Sequence, residues 1–254
     1  MNVAHLLLEL GQRIQNLGYL LENPSYGKVR NGQGAADLYK LLNKKWLPKT
    51  EVKTVLDVGA NEGQFIITAL ALMPHALIYS FEPNPVAFQK LVNLQEKYHN
   101  LKVLPLACGR ERAKLALNIS RFSPSSSLLL MEERHIQEFP GTEMQSSIEV
   151  EVQRLDDLFP SEEMINTPAL LKIDVQGFEL EVLLGATKLL NWIEFIVCEI
   201  NLVPLYENQS ALDSLITFLA DHHYKLIDCG HPVRSSTNQE ILYLDLVFRK
   251  IKHF

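Results

Sequence analysis

Apolar residues recur at helical spacing in two segments near the start of the chain. The first covers residues 3–21 and the second residues 35–46, and in both an apolar side chain returns every three or four positions. This spacing places the apolar side chains on one face of an α-helix. Residues 23–34, which lie between the two segments and contain Gly, Asn and Pro, are predicted to form a loop. We therefore expect residues 1–50 to form a helical extension.

The pattern changes after residue 50, where short β-branched runs alternate with helical stretches. Such alternation is typical of a parallel sheet with crossover helices, so an α/β domain is predicted over residues 51–254. Strands are predicted at residues 54–58, 77–81, 102–106, 170–174, 195–200, 225–228 and 241–248. Helices are predicted at residues 63–72, 85–98, 179–189 and 210–222.

One interval, residues 113–152, interrupts this alternation. It holds two further strand-like runs, at residues 115–119 and 148–152, which flank a serine cluster at residues 123–127 and an acidic segment. An insertion near the carboxyl edge of the sheet is the simplest explanation for the interruption.

The composition limits the classes of function. The chain of 254 residues has a formal net charge of -6, which does not favour DNA or RNA as the main partner because phosphate binding requires a basic surface. Three widely spaced cysteines without a C-x-x-C pair favour a reducing, cytoplasmic setting. The amino terminus lacks the features of a signal peptide, and no apolar stretch approaches the ~20 residues of a membrane helix. A soluble protein without a membrane partner is expected.

The first predicted strand leads into a glycine-rich turn. Asp57 lies at the end of this strand, and Gly59, Asn61 and Gly63 follow before an apolar helix. A strand, a glycine turn and a helix in this order bind nucleotide-like ligands over the carboxyl edge of a sheet. The G-x-G-x-x-G spacing of dinucleotide sites is not met, since Asn61 and Gln64 occupy its second and third glycine positions. A carboxylate at Asp57 would repel a pyrophosphate but favours the ammonium and sulfonium groups of S-adenosylmethionine.

The ends of the next two strands supply further candidates for this cofactor site. Glu82, followed by Pro83, lies 23 residues after Gly59. An acidic residue about 20 residues after the glycine turn, at the tip of the second strand, is positioned to accept hydrogen bonds from a ribose diol. Ala107, at the end of the third strand, is small enough for an adenine ring to lie against the backbone. Glu82 is therefore the strongest single candidate for a cofactor ligand.

Six motifs in a fixed order resemble those of the FkbM-type methyltransferases. They are D-V-G-A-N-E-G-Q-F from Asp57, F-E-P-N-P from Phe81, the cluster Ser125 to Ser127, R-L-D-D-L from Arg154, L-L-K-I-D-V-Q-G-F-E from Leu170 and V-L-L-G-A from Val182. The resemblance covers roughly residues 52–250. It implies a Rossmann-like class I methyltransferase with a seven-stranded sheet and helices on both faces, which methylates a hydroxyl of a sugar or a natural product. It also places the cofactor on the residues named above and brings Ser127 close to it.

Polar side chains end the fourth and fifth predicted strands, which are expected to be neighbours. Asp174 ends the fourth strand, and Glu199 and Asn201 end the fifth. An alcohol acceptor must lose its proton, and a general base or a metal ion can arrange this. The three side chains are predicted either to bind Mg²⁺ or a similar hard cation, or to supply Asp174 or Glu199 as a direct base. His231, in a turn after the sixth strand, is a further candidate base.

Two other polar sites have competing interpretations. Glu179, in the first turn of the helix after the fourth strand, either stabilises the positive helix N-terminus or acts in catalysis. Residues 132–135, with the sequence E-E-R-H, either form a charged helical face, which is the favoured interpretation, or cover the site as a lid.

Two alternative classes of function remain to be weighed. A nicotinamide-dependent oxidoreductase would need the dinucleotide glycine spacing, which is absent. A non-catalytic cofactor-binding module would be expected to have a damaged cofactor motif, whereas every expected position is filled. For an enzyme, a saccharide acceptor is favoured over another small molecule because acids and amides hydrogen-bond a polyol. The apolar face predicted at residues 3–21 also leaves room for a homo-oligomer.

Overall fold

The computed structural model describes residue 11 and residues 17–251. Within these residues the strands form two sheets, a large one and a small one of three strands. In chain order the strands are β1 (Thr54–Val58), β2 (Leu77–Phe81), β3 (Leu101–Leu104), β4 (Ala107–Cys108), β5 (Ala113–Ser120), β6 (Met144–Gln153), β7 (Ala169–Ile173), β8 (Ile193–Asn201), β9 (Tyr224–Cys229), β10 (Val233–Arg234) and β11 (Ile241–Lys250).

The large sheet is a mostly parallel, Rossmann-like sheet with the spatial order β3-β2-β1-β7-β8-β11. Its first five strands run parallel, whereas β11 is antiparallel to β8. Both β9 and β10 pair with β11, and the two-residue β10 is an eighth strand that the sequence did not predict. The other seven strands begin and end within two residues of their predicted positions. The carboxyl ends of β1, β2, β7 and β8 therefore meet at one edge.

Helices cover both faces of this sheet. Alternate residues of each central strand point to opposite faces, so that Leu56 of β1 and Leu171 of β7 belong to one apolar cluster, whereas Val55 and Leu170 belong to the other. All five residues of β1 and of β7 are buried, as expected of parallel strands covered on both sides. The helices are α1 (Ser25–Asn31), α2 (Ala36–Leu42), α3 (Gln64–Leu72), α4 (Pro85–Gln95), α5 (Glu133–Glu138), α6 (Leu155–Leu158), α7 (Glu179–Leu184) and α8 (Leu212–Asp221).

The prediction of a loop at residues 23–34 was wrong, because α1 occupies most of this segment. Tyr26 and Val29 lie on one face of α1 and are buried in the apolar cluster that the extension shares with α3 and one face of the large sheet. Pro24 precedes the helix and Gly32 follows it. Proline is common at the start of a helix and glycine just after its end, so neither residue argues against a helix here. Of the helix predicted at residues 3–21, only residue 11 and residues 17–21 lie within the described part, and they are helical.

The interval at residues 113–152 forms the small sheet and the segment that connects its long strands. β5 and β6 pair antiparallel, and β4 extends the pair as a short parallel strand next to β6. Both strands predicted in this interval are present and longer than expected. Across all the described residues, no helix is long and apolar enough to cross a membrane.

A close backbone contact joins the turn after α7 to the residue that follows β4. A Cβ atom built on Gly185, just after α7, would lie 2.0 Å from the carbonyl oxygen of Gly109. Because backbone cannot yield as a side chain can, we expect Gly185→Ala to lower the Tm by about 5 °C or more, measured by differential scanning calorimetry. The matched control is Gly18→Ala, where the added atom meets nothing within 4 Å. Equal melting temperatures for the two variants would contradict this assignment.

Candidate active site

Two adjoining cavities open at the carboxyl edge of the large sheet. The first, of about 180 Å³, lies over the ends of β1, β2 and β7. The insertion closes it through the serine cluster, and the amino-terminal extension contributes Ala35 and Leu38 to its wall. Six of the eight predicted cofactor residues line this first cavity: Gly59, Asn61, Glu82, Pro83, Ala107 and Ser127.

Glu82 is held in place by the two turns beside it. Its side chain is 7% exposed; one carboxylate oxygen accepts a hydrogen bond from the Asn61 N–H at 2.6 Å and the other from the Asn84 N–H at 2.8 Å. Burial raises the pKa of Glu82 to about 7, and the neighbouring Asp57 adds to this effect, although the two backbone hydrogen bonds oppose it. A carboxylate has about four acceptor positions. Glu82 therefore retains the capacity to accept two hydroxyl donors from a ligand in the cavity.

The glycine turn after β1 meets the turn after β7 at very short range. Gly59 has a φ of +82°, and a Cβ on it would lie 1.8 Å from the carbonyl oxygen of Asp174. Asn61 and Gln176, one in each turn, adopt left-handed φ values of 45° and 57° although neither is a glycine. Such conformations are uncommon outside glycine and concentrate at functional sites. Both residues line the first cavity.

Asp57 and Gly63 were predicted to contact the cofactor, but neither lines the first cavity. Asp57 is fully buried beneath it, and the nearest cation is the ammonium of Lys172, at 3.4 Å. Lys172 also lies 3.2 Å from Asp174 and donates a hydrogen bond to the Gly59 carbonyl at 3.1 Å. Although burial lowers the pKa of Lys172, Asp174 and Asp57 together raise it above its ordinary value. Both carboxylate oxygens of Asp57 are buried without a hydrogen-bond partner among the described residues, and burial raises its pKa although Lys172 opposes this effect. Gly63 caps the start of α3.

Sequence reasoning gave no role to Lys172, although the sequence contained a signal for one. Lys172 and Asp174 are two residues apart, so at the end of a strand they project from the same face. A lysine inside an otherwise apolar strand is rare unless it is paired. Lys172 lines the first cavity and bridges the turns after β1 and β7.

The serine cluster connects the insertion to both turns. Ser123 donates a hydrogen bond to the Asn61 side-chain oxygen at 2.8 Å, and Ser127 donates one to the Gln176 carbonyl at 2.7 Å. These contacts hold the insertion over the first cavity, and the contact of Ser127 gives a structural reason for one serine of the motif set.

The second cavity has a volume of about 550 Å³ and lies between the insertion and the ends of β7, β8 and β11. It shares Pro124, Asp174 and Gln176 with the first cavity, so the two spaces meet at these residues. Its other lining residues are Phe122, Ser125, His135, Glu138, Phe139, Pro140, Gly141, Thr142, Glu199, Leu205 and Tyr243.

A hydrogen-bonded network connects the residues of this junction. The Gln176 amide nitrogen donates to Asp174 at 2.9 Å and to Glu199 at 2.7 Å, and the amide oxygen accepts from the Tyr206 hydroxyl at 2.8 Å. Burial raises the pKa of Glu199 well above its ordinary value, and the nearby carboxylates of Asp174 and Asp245 raise it further. The structure therefore brings Asp174 and Glu199 together, as predicted, with an amide between them.

The third residue of the predicted metal site does not join them. Asn201 is buried, and its side-chain nitrogen lies 3.4 Å from the side-chain oxygen of Gln209. The group between Asp174 and Glu199 is the hydrogen-bond donor nitrogen of Gln176, which is not a metal ligand. Within the described ranges, no group of three or more His, Cys, Asp or Glu side chains is arranged to hold a metal ion. The donor set predicted for Mg²⁺ therefore does not fit a metal site.

The two histidines named from the sequence lie in different surroundings. His231, the candidate base, is exposed in the connection between β9 and β10 and lines neither cavity. His135, in the segment predicted as a charged helical face or a lid, is only 3% exposed and lines the second cavity, where its ring nitrogens lie 3.1 Å from the hydroxyls of Thr142 and Tyr206. Burial lowers the pKa of His135. Phe139, four residues later on the same helical face, was the sequence signal that this face is buried.

Glu179 lines neither cavity but is a buried carboxyl group with a displaced pKa. It is 3% exposed and accepts a hydrogen bond from the Gly177 N–H at 2.8 Å, while burial raises its pKa to about 7. A carboxyl group whose pKa is higher in the folded state stabilises the protein below its unfolded pKa, and this contribution is lost as the pH rises through about 7.

We therefore expect Glu179→Gln, which cannot ionise, to gain stability relative to the wild type between pH 5 and pH 8, because it lacks this pH-dependent loss. The difference in Tm between variant and wild type, measured across this pH range in the absence of ligands, tests the prediction. Glu181→Gln, at a more exposed position of the same helix, is the control. A difference in Tm that does not change with pH would contradict the assigned pKa.

A Rossmann-like sheet with a glycine turn, an acid at the tip of the second strand and a cavity over the edge is an arrangement that binds nucleotide-like cofactors, S-adenosylmethionine among them. The sequence profile described as "Methyltransferase FkbM domain" matches residues 57–226. The chain therefore belongs to the FkbM methyltransferase family, as the motifs indicated.

The chain is also similar to named methyltransferases and to a solved structure. The chain is 26% identical over 220 residues to the 2-O-methyltransferase NoeI of Sinorhizobium fredii, covering 84% of this chain and 86% of that protein. It is 30% identical over 175 residues to the hexuronic acid methyltransferase AglP of Haloferax volcanii, covering 68% and 65%. Aeropyrum pernix fibrillarin, solved with natively bound S-adenosyl-L-methionine, is 13% identical with a TM-score of 0.42, covering 82% of this chain and 72% of that one.

Proposed function

We propose that this protein transfers the methyl group of S-adenosylmethionine to a hydroxyl oxygen of a sugar or glycan. The observation that carries the proposal is the junction of the two cavities at Pro124, Asp174 and Gln176. One cavity has the groups for the cofactor, and the other has space for a second molecule directly beside it. The names of two relatives, a 2-O-methyltransferase and a hexuronic acid methyltransferase, support oxygen and a sugar as the acceptor.

The residues of the first cavity fit this cofactor. The buried carboxylate of Glu82 is available to two hydroxyl groups, as a ribose diol requires. Ala107 and Cys108 provide a small, apolar surface for a flat ring. When bound, S-adenosylmethionine supplies an electrophilic methyl group on a positively charged sulfur. Much of the catalysis is then the positioning of the acceptor oxygen in line with that methyl group.

We assign Asp174 as the group that accepts the hydroxyl proton of the acceptor. It is the only carboxylate among the described residues that lines both cavities, and its side chain is 31% exposed. The Lys172 ammonium lies 3.2 Å from it. Glu199, whose pKa is raised, is suited to donate a hydrogen bond as a neutral carboxyl group. The acceptor oxygen would then lie between a base and a donor.

The second cavity also fits a polyol. Three aromatic side chains, Phe122, Phe139 and Tyr243, line it together with carboxylate, amide and hydroxyl groups. Ligand sites of this kind bury the apolar faces of a ligand and fix its orientation with a few polar contacts. A sugar ring offers both kinds of surface.

The test is to incubate the purified protein with S-adenosylmethionine that carries a labelled methyl group and with methyl glycosides of common hexoses. We expect S-adenosylhomocysteine and a sugar that carries one additional methyl group, which is stable to alkali as an ether is. Label that alkali releases would identify a methyl ester. Cofactor binding without methylation of any sugar, together with methylation of a polyketide-like alcohol, would contradict the sugar assignment.

A further inference from the structure

The second cavity has an uneven charge distribution. Three carboxyl side chains line it, those of Glu138, Asp174 and Glu199, whereas no lysine or arginine among the described residues does so. The single histidine in its wall, His135, has a pKa that burial lowers, so it is neutral at neutral pH. The wall therefore offers hydrogen-bond acceptors and negative charge, but no counter-ion for a negatively charged ligand.

Arg121, directly before Phe122, is exposed and does not line this cavity, whereas two other cations near the cavity along the chain, Lys172 and Arg134, are already engaged. Lys172 lines the first cavity instead, where it contacts the carboxylates of Asp57 and Asp174 and the Gly59 carbonyl. Arg134, on the same helix as Glu138, lies 2.6 Å from Glu240. Neither cation lines the second cavity. A carboxylate placed there would lose hydration without gaining an ion pair, and it would face Glu138.

We propose that the acceptor of this enzyme is a neutral sugar or an amino sugar and that a uronic acid is excluded by charge. This inference rests on the proposed function, since it names the class of acceptor for the same cavity. Transferring an ionised carboxylate from water without a partner is costly, and like charges at an interface suppress binding of the wrong partner. An ammonium or a hydroxyl group in the same position would be favoured by Glu138. The chain would thus differ in acceptor from its relative AglP, which is named for hexuronic acid.

The position of Glu138 makes it the residue that determines this selectivity. Asp174 is paired with Lys172, and the pKa of Glu199 is raised by burial and by neighbouring carboxylates, so both contribute less negative charge to the cavity. Glu138 lies at the end of α5, on the insertion side of the cavity and away from the cofactor residues. Its removal should therefore change selectivity between acceptors without changing cofactor binding.

The experiment compares matched acceptors that differ only at carbon 6 or carbon 2. The methyl glycosides of glucose, galactose and mannose are each assayed beside the corresponding uronate, and methyl glucosaminide is assayed beside methyl glucoside. Formation of S-adenosylhomocysteine is measured with the full chain at pH 7.5. We expect kcat/KM for each uronate to be at least about tenfold below that of its neutral partner, the effect of one unfavourable charge contact.

Two variants assign the effect to the cavity. Glu138→Gln is expected to reduce the preference for the neutral over the uronate acceptor by about threefold or more, with unchanged affinity for S-adenosylmethionine. Glu133→Gln, at the exposed start of the same helix and outside the cavity, should leave the preference unchanged.

The outcomes separate this inference from the proposed function. Uronates that react as well as their neutral partners would overturn the inference and leave the sugar methyltransferase assignment intact. If Glu138→Gln keeps the wild-type preference for the neutral acceptor, Glu138 is not the cause of that preference. This result would contradict the inference, which assigns the selectivity to Glu138. If the protein binds S-adenosylmethionine but no sugar of any charge stimulates turnover, both the proposed function and the inference fail.

Discussion

Glu82→Ala is expected to weaken S-adenosylmethionine binding by about 100-fold or more while the protein remains folded. A carboxylate that accepts two ligand hydroxyls provides two hydrogen bonds to a charged group, each worth about 1.5–3 kcal/mol. Alanine removes both, and it also releases the Asn61 and Asn84 N–H groups that position the turns. Isothermal titration calorimetry with S-adenosylmethionine and S-adenosylhomocysteine measures the change.

Two further variants make this result interpretable. Glu82→Gln preserves the volume and one acceptor oxygen, so an intermediate loss is expected even if the alanine variant unfolds. Glu96→Ala changes an exposed glutamate just after α4 and should bind like the wild type. Wild-type affinity in both Glu82 variants, with a normal Tm, would show that the carboxylate does not hold the cofactor.

Asp174→Asn is expected to lower kcat by about 100-fold or more, the contribution typical of a positioned general base. Asparagine has the same shape but cannot accept the hydroxyl proton at neutral pH. Cofactor affinity should change by less than about threefold, or about 0.7 kcal/mol, since the cofactor contacts assigned to Glu82 remain. Single-turnover kinetics with a saturating acceptor separates this loss of chemistry from a loss of binding.

The control for this prediction is Asp213→Asn, an exposed aspartate in the first turn of α8, which should retain full activity. The comparison is made with and without EDTA. Wild-type turnover that EDTA abolishes and Mg²⁺ restores would contradict the direct role of Asp174, because the proton would then be removed with the help of a metal ion. An Asp174→Asn variant with wild-type activity would also contradict the direct role of Asp174.

The fold was largely predictable because the signals that determine it are local. Alternating strand and helix patterns located seven strands of the large sheet within two residues of their ends. The loop predicted at residues 23–34 was wrong because Gly, Asn and Pro are found at helix ends as well as in loops. Which of the two applies depends on Tyr26 and Val29, whose burial requires a partner surface formed later in the chain.

The cofactor side of the site was more predictable than the acceptor side. Gly59 directly follows β1 and Glu82 directly follows β2, so their places in the sequence fix their places at the sheet edge. Asn201 and His231, by contrast, were selected because their strands end at the correct edge, and strand position does not determine where a side chain is directed. His135 reaches the site through the insertion, whose path over the sheet is set by contacts between residues distant in sequence, such as those of Ser123 and Ser127.

Ala35 and Leu38 belong to the wall of the first cavity, yet the match to the family begins only at residue 57. The boundary drawn by sequence similarity therefore cuts through the wall of this cavity. A fragment cut at that boundary, or a chimera that takes only the shared region from this protein, would have the first cavity with one side open to water. Any exchange of domains with a relative must include the segment that carries Ala35 and Leu38.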